Sequence, residues 1–336
     1  MYDSISTDDL STRAYSLIKD TIFVYIMSWL FVGPRLLAGI GQVTKRYADL
    51  VNGEYVEFGN PPSKPHYDKG FAFILPFKEN IDLVDQYSKF CGSMKVMTIC
   101  ETEPVNDAYK IIADKYSEVY VASEFCKEVF SRQFPNTNWK VLHLYAPPPA
   151  LQYPPSGSGP YVFYTIGNVM DPRKNFQSLL NSFFELKMEN AILLVKATCN
   201  SDFKLELPGV VVINGLLSLD QMENIHKKGH CYINCSHSEG VGMGAVEAAL
   251  RSKPVIITDY GGLKEYVQTP WVIKCTKGPI GFDDFLFKSE HEWGHPSYQD
   301  LVTHMKDCYE RKVREWDHSH THKIMRDLGL LEQLGS

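Results

Sequence analysis

The sequence predicts two α/β domains, each built on a parallel sheet with crossover helices. A chain of 336 residues exceeds what one hydrophobic core usually organises. Short apolar runs alternate with helical patterns along both halves, as in sheets whose parallel strands are joined by helices. Residues 146–160 (APPPALQYPPSGSGP) are too rich in proline and glycine for a helix or a central strand. We therefore expect this segment to link a first domain, 1–150, to a second domain, 151–314.

Strand candidates are apolar runs bounded by turn residues. In the first half they lie at 22–32, 54–58, 70–75, 95–100, 119–122 and 141–144. In the second half they lie at 161–166, 191–196, 210–214, 231–235 and 254–258. Helical patterns fall between them, notably at 42–51, 124–133 and 245–251, and a longer amphipathic helix follows at 297–314.

Composition and charge argue against several classes of protein. A content of 44% apolar and 12% aromatic residues is typical of a globular chain, and the net charge of −6 argues against a nucleic-acid surface. The apolar run 21–32 is well short of the roughly 20 residues that cross a bilayer, so we interpret it as a buried strand. Residues 1–20 lack the basic start and apolar core of a secretory signal, and we expect a cytoplasmic protein.

Two groups of histidines and cysteines could suggest metal sites. The first group falls along a predicted strand, where alternate side chains face opposite ways, so we interpret both groups as structural or solvated. The scattered cysteines are expected to be buried thiols rather than disulfides. The two groups are His230, Cys231, Cys235 and His237, and His318, His320 and His322.

Motifs at strand ends carry the most functional weight, because ligands of open α/β sheets bind at the carboxyl ends of the strands. Gly39 and Gly41 open a helix after the first strand, where the backbone can approach a ligand closely and N–H groups can point at a phosphate. The third glycine of the dinucleotide fingerprint is absent, so a tight turn and a binding loop both remain open.

The first strand of the second half is followed by Gly167 and by a helix with a clear start. Asp171 suits an N-cap and Pro172 the first turn, which places Arg173 and Lys174 in that turn. Cations there oppose the helix dipole by about 0.3 to 1 kcal/mol each, and a bound anion would remove the conflict. An exposed basic turn is the plain alternative.

The stretch 235–251 (CSHSEGVGMGAVEAALR) places Glu239 and Glu247 around a glycine-rich turn that runs into a helix. The N–H groups at the helix start have no intrahelical partner and suit a phosphate. A carboxylate can accept hydrogen bonds from two neighbouring hydroxyls and suits a sugar or a ribose diol. Alternatively, Glu247 lies in the first helical turn and complements the helix dipole, while Glu239 is solvated.

The run 238–267 (SEGVGMGAVEAALRSKPVIITDYGGLKEYV) resembles the glutamate, seven residues, glutamate motif of retaining GT-B glycosyltransferases in the GT4-like family. Supporting segments lie at 167–175 (GNVMDPRKN), 214–236 and 119–130. The chain also resembles transferases that are encoded by large algal viruses. The resemblance implies two Rossmann-like doubly wound domains that face a central cleft. It also implies a last helix, about 315–336, that packs back on the first domain.

The resemblance also implies roles for individual residues. Glu239 would contact hydroxyls of the donor sugar and Glu247 the ribose, while Arg173 and Lys174 would neutralise the diphosphate. The other donor contacts would come from the backbone of Val241, Gly242, Met243 and Gly244, from Gly167, from Gly39 and Gly41 across the cleft, and from Leu216 beside the base.

The chain departs from the family in three places. Asn168 follows Gly167 where many relatives have arginine, so the phosphate charge would depend on the basic turn that follows. A proline common near the glutamate motif is replaced by Gly244. The first-domain His-acid pair is absent, and 97–104 (MTICETEP) stands there, which makes Glu101 a candidate for the acceptor side of the cleft or a helix-cap carboxylate.

Together these observations predict transfer of a hexose from a nucleoside diphosphate sugar, with UDP-glucose favoured, to a hydroxyl of a glycan or glycoprotein acceptor. The resemblance implies retained configuration. No Asp-x-Asp pair stands at a strand end, so we expect no metal or other cofactor, with basic side chains and helix amides in their place. A non-catalytic sugar-nucleotide or carbohydrate-binding protein, and a phosphorylase or epimerase, remain as alternatives.

Overall fold

The computed structural model describes residues 27–36, 38–149, 159–198 and 203–326. Strands and helices alternate along these ranges as predicted, and none of the helices there is long and apolar enough to cross a membrane. Parts of four predictions lie outside the described residues: 22–26 of the first strand, 150–158 of the linker, Cys199, and the helix 315–336 beyond residue 326.

The first sheet has six parallel strands in the order β2-β1-β3-β4-β5-β6. Its chain order reverses between β1 and β3, where the strand ends open a crevice. The strands are β1 (Trp29–Gly33), β2 (Glu54–Glu57), β3 (Tyr67–Phe73), β4 (Cys91–Thr98), β5 (Glu118–Val121) and β6 (Asn138–Val141). The helices are α1 (Gly39–Leu50), α2 (Lys78–Ser88), α3 (Lys110–Lys115) and α4 (Glu124–Gln133).

The second sheet also has six parallel strands, in the order β12-β11-β10-β7-β8-β9. This is the doubly wound arrangement, and its order reverses between β7 and β10. The strands are β7 (Tyr161–Gly167), β8 (Ala191–Ala197), β9 (Val210–Ile213), β10 (Cys231–Asn234), β11 (Val255–Thr258) and β12 (Val272–Ile273). The helices are α5 (Phe176–Glu185), α6 (Leu219–Lys228), α7 (Met243–Ala249), α8 (Leu263–Tyr266), α9 (Tyr298–Glu310) and α10 (Ser319–Arg326).

Several predicted elements are displaced by a few residues, and two of these displacements have a clear physical reason. Helix α7 begins at Met243 because Gly242 adopts a left-handed conformation at its N-cap, with φ 76°. Gly244 therefore lies inside the helix, and Glu247 lies in its second turn rather than its first. Strand β6 ends at Val141, whereas the strand was predicted at 141–144. The apolar side chains of that run are buried in a contact between the domains rather than in a strand. The run packs against the second domain, where the Leu144 N–H donates to the Tyr266 hydroxyl at 2.9 Å.

An antiparallel hairpin, β13 (Cys275–Pro279) and β14 (Glu292–Pro296), was not predicted. The segment between its strands reaches over the first domain, and Leu286, Phe287 and Trp293 are buried among first-domain side chains. The hairpin also joins that domain through the backbone, because Glu103 and Glu292 exchange N–H to carbonyl hydrogen bonds at 2.9 and 2.8 Å. The second domain thus holds the loop that follows β4.

Helix α10 touches both halves of the chain. The Thr321 hydroxyl donates to the Tyr266 carbonyl at 2.7 Å, and the Ala146 N–H donates to the Met325 sulfur at 3.4 Å. The described part of the C-terminal segment therefore lies where the chain crosses between the two sheets. The domain bounds 1–150 and 151–314 stay a prediction.

Candidate active site

A cleft of about 290 Å³ lies between the two sheets and is lined by both. The first turn of α1 and the loop after β4 form one side, and the basic turn after β7 and the loop from β10 to α7 form the other. The cleft therefore opens at the strand ends, beside the positions where the strand order reverses in each sheet. Nine predicted site residues line it: Gly39, Glu101, Arg173, Lys174, Glu239, Val241, Gly242, Met243 and Glu247.

Arg173 lies at the centre of the ionic contacts in the cleft and is only 8% exposed, so the alternative of an exposed basic turn is wrong for this residue. Its Nη1 donates to the Ser238 carbonyl at 2.7 Å and to Glu239 Oε2 at 3.0 Å, and lies 3.1 Å from Glu101 Oε1. Its Nε is buried and has no hydrogen-bond partner among the described residues. The guanidinium thus joins carboxylates of both domains, and its Nε–H is a donor without a partner among the described residues.

The turn that carries Arg173 and Lys174 is a short 3₁₀ helix, Pro172–Lys174, and not the first turn of α5 as predicted. The Asp171 side chain caps it by accepting from the Arg173 N–H at 2.9 Å. Asn175 then adopts a left-handed conformation, with φ 53°, which separates this turn from α5. The two cations therefore lie just before α5 rather than in its first turn, and nearby carboxylates balance their charge.

Glu239 is 4% exposed, so the alternative of a solvated carboxylate is also wrong. Its Oε1 accepts hydrogen bonds from Lys174 Nζ at 2.6 Å, Ser236 Oγ at 2.8 Å and Asn234 Nδ2 at 3.2 Å. Burial alone would raise the pKa of Glu239, but Lys174, Arg173 and these hydrogen bonds hold it at about 2. The carboxylate is ionised and fixed in place.

Glu247 meets a residue that the sequence analysis did not identify. Arg46, on α1 of the first domain, places its Nη2 2.6 Å from Glu247 Oε1. Oε2 faces His226 Nε2 at 3.6 Å, which is too long for a hydrogen bond. Burial would raise the pKa of Glu247, but Arg46 and His226 lower it to about 2. An ion pair between the two domains therefore lies at this end of the cleft.

Glu101 follows β4 and is not a helix cap, because the 3₁₀ turn downstream, Asp107–Tyr109, is capped by Asn106. Its side chain is 25% exposed and shares the Arg173 guanidinium with Glu239. Burial raises the pKa of Glu101, Arg173 opposes that rise, and the negative charge of Glu239 reinforces it. Of the two glutamates that contact Arg173, Glu239 is thus firmly ionised and Glu101 protonates more readily.

Four predicted donor residues lie away from the cleft lining. A Cβ on Gly41 would lie 2.4 Å from the Pro34 carbonyl, and one on Gly244 would lie 2.2 Å from the Tyr232 hydroxyl. Both glycines therefore permit close packing. Gly167 borders a separate cavity of about 20 Å³ behind Lys174, and Leu216 is 69% exposed on the loop after β9.

Three further groups in or near the cleft were missed by the sequence analysis. Arg46 carried a usable signal, because Gly39, Val43 and Arg46 recur at helical spacing on the face of α1 that lines the cleft. His226 carried none, since it is one of several polar residues along α6. The aromatic segment 285–287 belongs to the unpredicted hairpin.

Within the ranges that the structure describes, no group of three or more His, Cys, Asp or Glu is placed to hold a metal ion. His230 Nδ1 accepts from the Val162 N–H at 2.8 Å. The His237 ring stacks on Trp293 with centroids 4.6 Å apart, and His318 Nε2 lies 2.7 Å from the Lys253 carbonyl. These histidines therefore have protein partners.

Comparison with known proteins agrees with this geometry. Residues 160–278, which hold the basic turn and both glutamates, match the family described as glycosyl transferases group 1. A glycosyltransferase from Rickettsia africae superposes with a TM-score of 0.60 at 12% identity, over 92% of this chain and 97% of that chain. Sucrose-phosphate synthase from Thermosynechococcus elongatus superposes with a TM-score of 0.54 at 12% identity, over 88% of this chain and 74% of that chain. No curated protein sequence matches the chain significantly.

A third neighbour is the pneumococcal O-GlcNAc transferase GtfA, solved with UDP and GlcNAc, at a TM-score of 0.54 and 14% identity. The alignment covers 79% of this chain and 55% of GtfA, so this chain spans about half the length of that protein. The fold is therefore GT-B, two Rossmann-like domains that face a cleft, as predicted. The family match and these neighbours together support a GT-B glycosyltransferase.

Proposed function

We propose that the protein moves a hexosyl group from a nucleoside diphosphate sugar to a hydroxyl of a glycan or glycoprotein acceptor, with retained configuration and with UDP-glucose as the favoured donor. One observation carries this proposal. Arg173 and Lys174 converge on Glu239 in a cleft whose opposite wall carries the first turn of α1. Cations, helix-start amides and fixed carboxylates are the groups that a diphosphate sugar needs.

The donor side has unused hydrogen-bonding capacity. Lys174 Nζ has three donors, its side chain is 23% exposed toward the cleft, and the contact with Glu239 uses one of them. The Ser238 hydroxyl, like Arg173 Nε, is buried without a hydrogen-bond partner among the described residues. Buried polar groups normally have partners, and Arg173 lines the cleft, so its Nε–H is available to a bound molecule or a water. A diphosphate and its sugar would engage Lys174, while Glu239 accepts from sugar hydroxyls.

Entry of a diphosphate adds negative charge beside Glu101 and Glu239. Of these two carboxylates, Glu101 has the raised pKa and protonates more readily. Glu101 is also the one on the first-domain side, after β4. We infer that it faces the acceptor and takes up a proton more readily once the donor is bound.

In the proposed reaction, the bond from the anomeric carbon to the diphosphate oxygen breaks, and a bond to the acceptor oxygen forms on the same face of the sugar. The acceptor proton passes to the departing diphosphate oxygen, so no separate base is needed. Catalysis rests on stabilising the charge of that oxygen with Lys174, Arg173 and backbone amides at the start of α7. In this proposal the two domains close about the linker and exclude water from the cleft.

The experiment is incubation of the purified protein with radiolabelled UDP-glucose, and in parallel with other UDP and GDP sugars, with and without candidate glycans. Transfer, or slow hydrolysis of one donor, supports the proposal, whereas binding without turnover of any donor would indicate a binding protein. The same assay after exhaustive chelation tests the expected independence of metal. Full loss of activity that manganese restores would contradict that expectation. We propose that the protein acts in the cytoplasm.

A further inference from the structure

Arg46 occupies a position in the cleft that the proposed reaction does not yet use. It lies on the face of α1 that lines the cleft, two turns after Gly39 at the helix start. Its side chain is 21% exposed, and its Nη2 crosses the cleft to Glu247 on α7, a residue of the second domain. A long cationic side chain that is held in one geometry loses conformational entropy. The interaction of Arg46 with Glu247 has to offset this entropy cost.

The Glu247 carboxylate keeps most of its accepting capacity in this arrangement. A carboxylate offers about four lone-pair sites, and Arg46 Nη2 occupies one of them on Oε1. Oε2 receives no hydrogen bond from His226, because the distance to Nε2 is 3.6 Å. A vicinal diol can therefore bind to Glu247 while Arg46 stays in place.

His226 restricts the carboxylate from the other side. It is 1% exposed, and burial lowers its pKa, so the ring is neutral near pH 7. The Tyr164 hydroxyl lies 3.1 Å from its Nδ1. When Tyr164 donates to Nδ1, the ring proton is on Nε2 and points at the Glu247 carboxylate, whereas the other tautomer would direct a lone pair at it. Arg46 and His226 thus confine Glu247 between the two domains.

We propose that Arg46 is a positioning residue for the donor: its ion pair holds the Glu247 carboxylate, which His226 faces from the other side, in the orientation that receives the ribose diol. This inference rests on the proposed function, because it requires a nucleotide in the cleft. It adds that donor affinity depends on a first-domain side chain. The nucleotide is then held by both domains, although its ribose contacts a residue of the second domain alone.

The test measures nucleotide affinity by calorimetry for the wild type and Arg46→Ala. UDP and GDP are compared first, and the tighter ligand is then compared with its 2′,3′-dideoxy counterpart, which lacks the diol. We expect Arg46→Ala to weaken binding of the ribonucleotide about tenfold or more. For the dideoxy nucleotide the same substitution should have little effect, because Arg46 acts through Glu247 on the diol.

The matched control is Lys45→Ala, which removes a cation from the same helix. Lys45 is 41% exposed and pairs with Asp49, so nucleotide affinity should not change. Arg46→Lys should recover part of the affinity and, with Arg46→Gln, serves as the second variant if the alanine form does not fold. In turnover assays, Arg46→Ala should raise the donor KM more than it lowers kcat.

The outcomes separate the two proposals. If the wild type binds a nucleotide and Arg46→Ala binds it equally well, the inference fails and the proposed function stands. An equal loss for the ribonucleotide and the dideoxy nucleotide also overturns the inference, because Arg46 would then act on another part of the ligand. If the wild type binds no nucleotide, both fail.

Discussion

Replacing Lys174 with alanine removes one of two cations that face the cleft from the second domain. Its Nζ lies 2.6 Å from Glu239 Oε1, and its side chain is 23% exposed. The other groups on Glu239, which are Arg173, Ser236 and Asn234, remain in the variant. Because those contacts keep the carboxylate paired, the loss of stability should be smaller than the roughly 3–5 kcal/mol of a broken buried ion pair.

The kinetic effect of this substitution should be larger than its effect on stability. Losing a hydrogen bond to a charged group costs about 1.5–3 kcal/mol, and losing a fixed donor to a developing oxyanion costs about 2.7–4 kcal/mol. Lys174 is partly solvated, so we expect a value near 3 kcal/mol, or roughly a hundredfold lower kcat. The donor KM should change less, because the charge on the departing oxygen develops only in the transition state.

The assay is initial-rate measurement with radiolabelled donor over a range of concentrations, with thermal unfolding measured on the same preparations. Lys228→Ala is the matched control, because Lys228 is an exposed lysine of the same domain in the last turn of α6. A folded Lys174→Ala variant with kcat within about twofold of the wild type would refute the assignment of charge stabilisation to this residue.

Three further predictions address donor binding, acid stability and a close backbone contact beside the cleft. Glu247→Ala should raise the donor KM about tenfold or more with a smaller change in kcat, and an unchanged KM would contradict a ribose contact. The pKa values of Glu239 and Glu247 lie at about 2, below the ordinary 4.5, so each carboxylate contributes on the order of 3 kcal/mol to the free energy of unfolding. This contribution is fully present above pH 4.5 and is lost as the pH falls through 2. Urea unfolding from pH 6 to pH 2 should show this loss, and Glu239→Gln should reduce it; a flat profile in the wild type would argue against it. Gly262→Ala should destabilise the fold by about 1–3 kcal/mol, because its Cβ would lie 2.1 Å from the Gly240 carbonyl. Gly39→Ala is its control in thermal unfolding, since a Cβ there meets no atom within 4 Å, and equal stability of the two variants would contradict the steric argument.

The donor half of the cleft was largely predictable because its residues lie in two short segments. The basic turn and the stretch from Glu239 to Glu247 each follow a strand, and strand ends of one parallel sheet meet at one edge. The order of the strands was therefore enough to predict that the basic turn and the two glutamates lie close together. The local geometry was not, because Asn175 in a left-handed conformation separates the basic turn from α5.

The contacts between domains were not predictable in the same way. Apolar residues at 141–144 and 286–287 have the pattern of strand or core residues, and nothing in the pattern says that they bury against the other domain. The hairpin is short, and its turn-rich interior lacks the alternation typical of strands. Arg46 and Glu247 are 201 positions apart, so only the folded chain brings them together.

The sequence by itself determined the two α/β domains, most strand and helix positions, and the segments that form the donor wall, because periodicity and strand-end motifs are local properties of the chain. Tertiary structure decided which charges meet. The Arg173 guanidinium lies between Glu101 and Glu239, and Arg46 crosses to Glu247, because two sheets face each other across one cleft. Electrostatic pairing falls off with distance in space rather than along the sequence, so these ion pairs and the resulting pKa shifts depend on the packing of the domains.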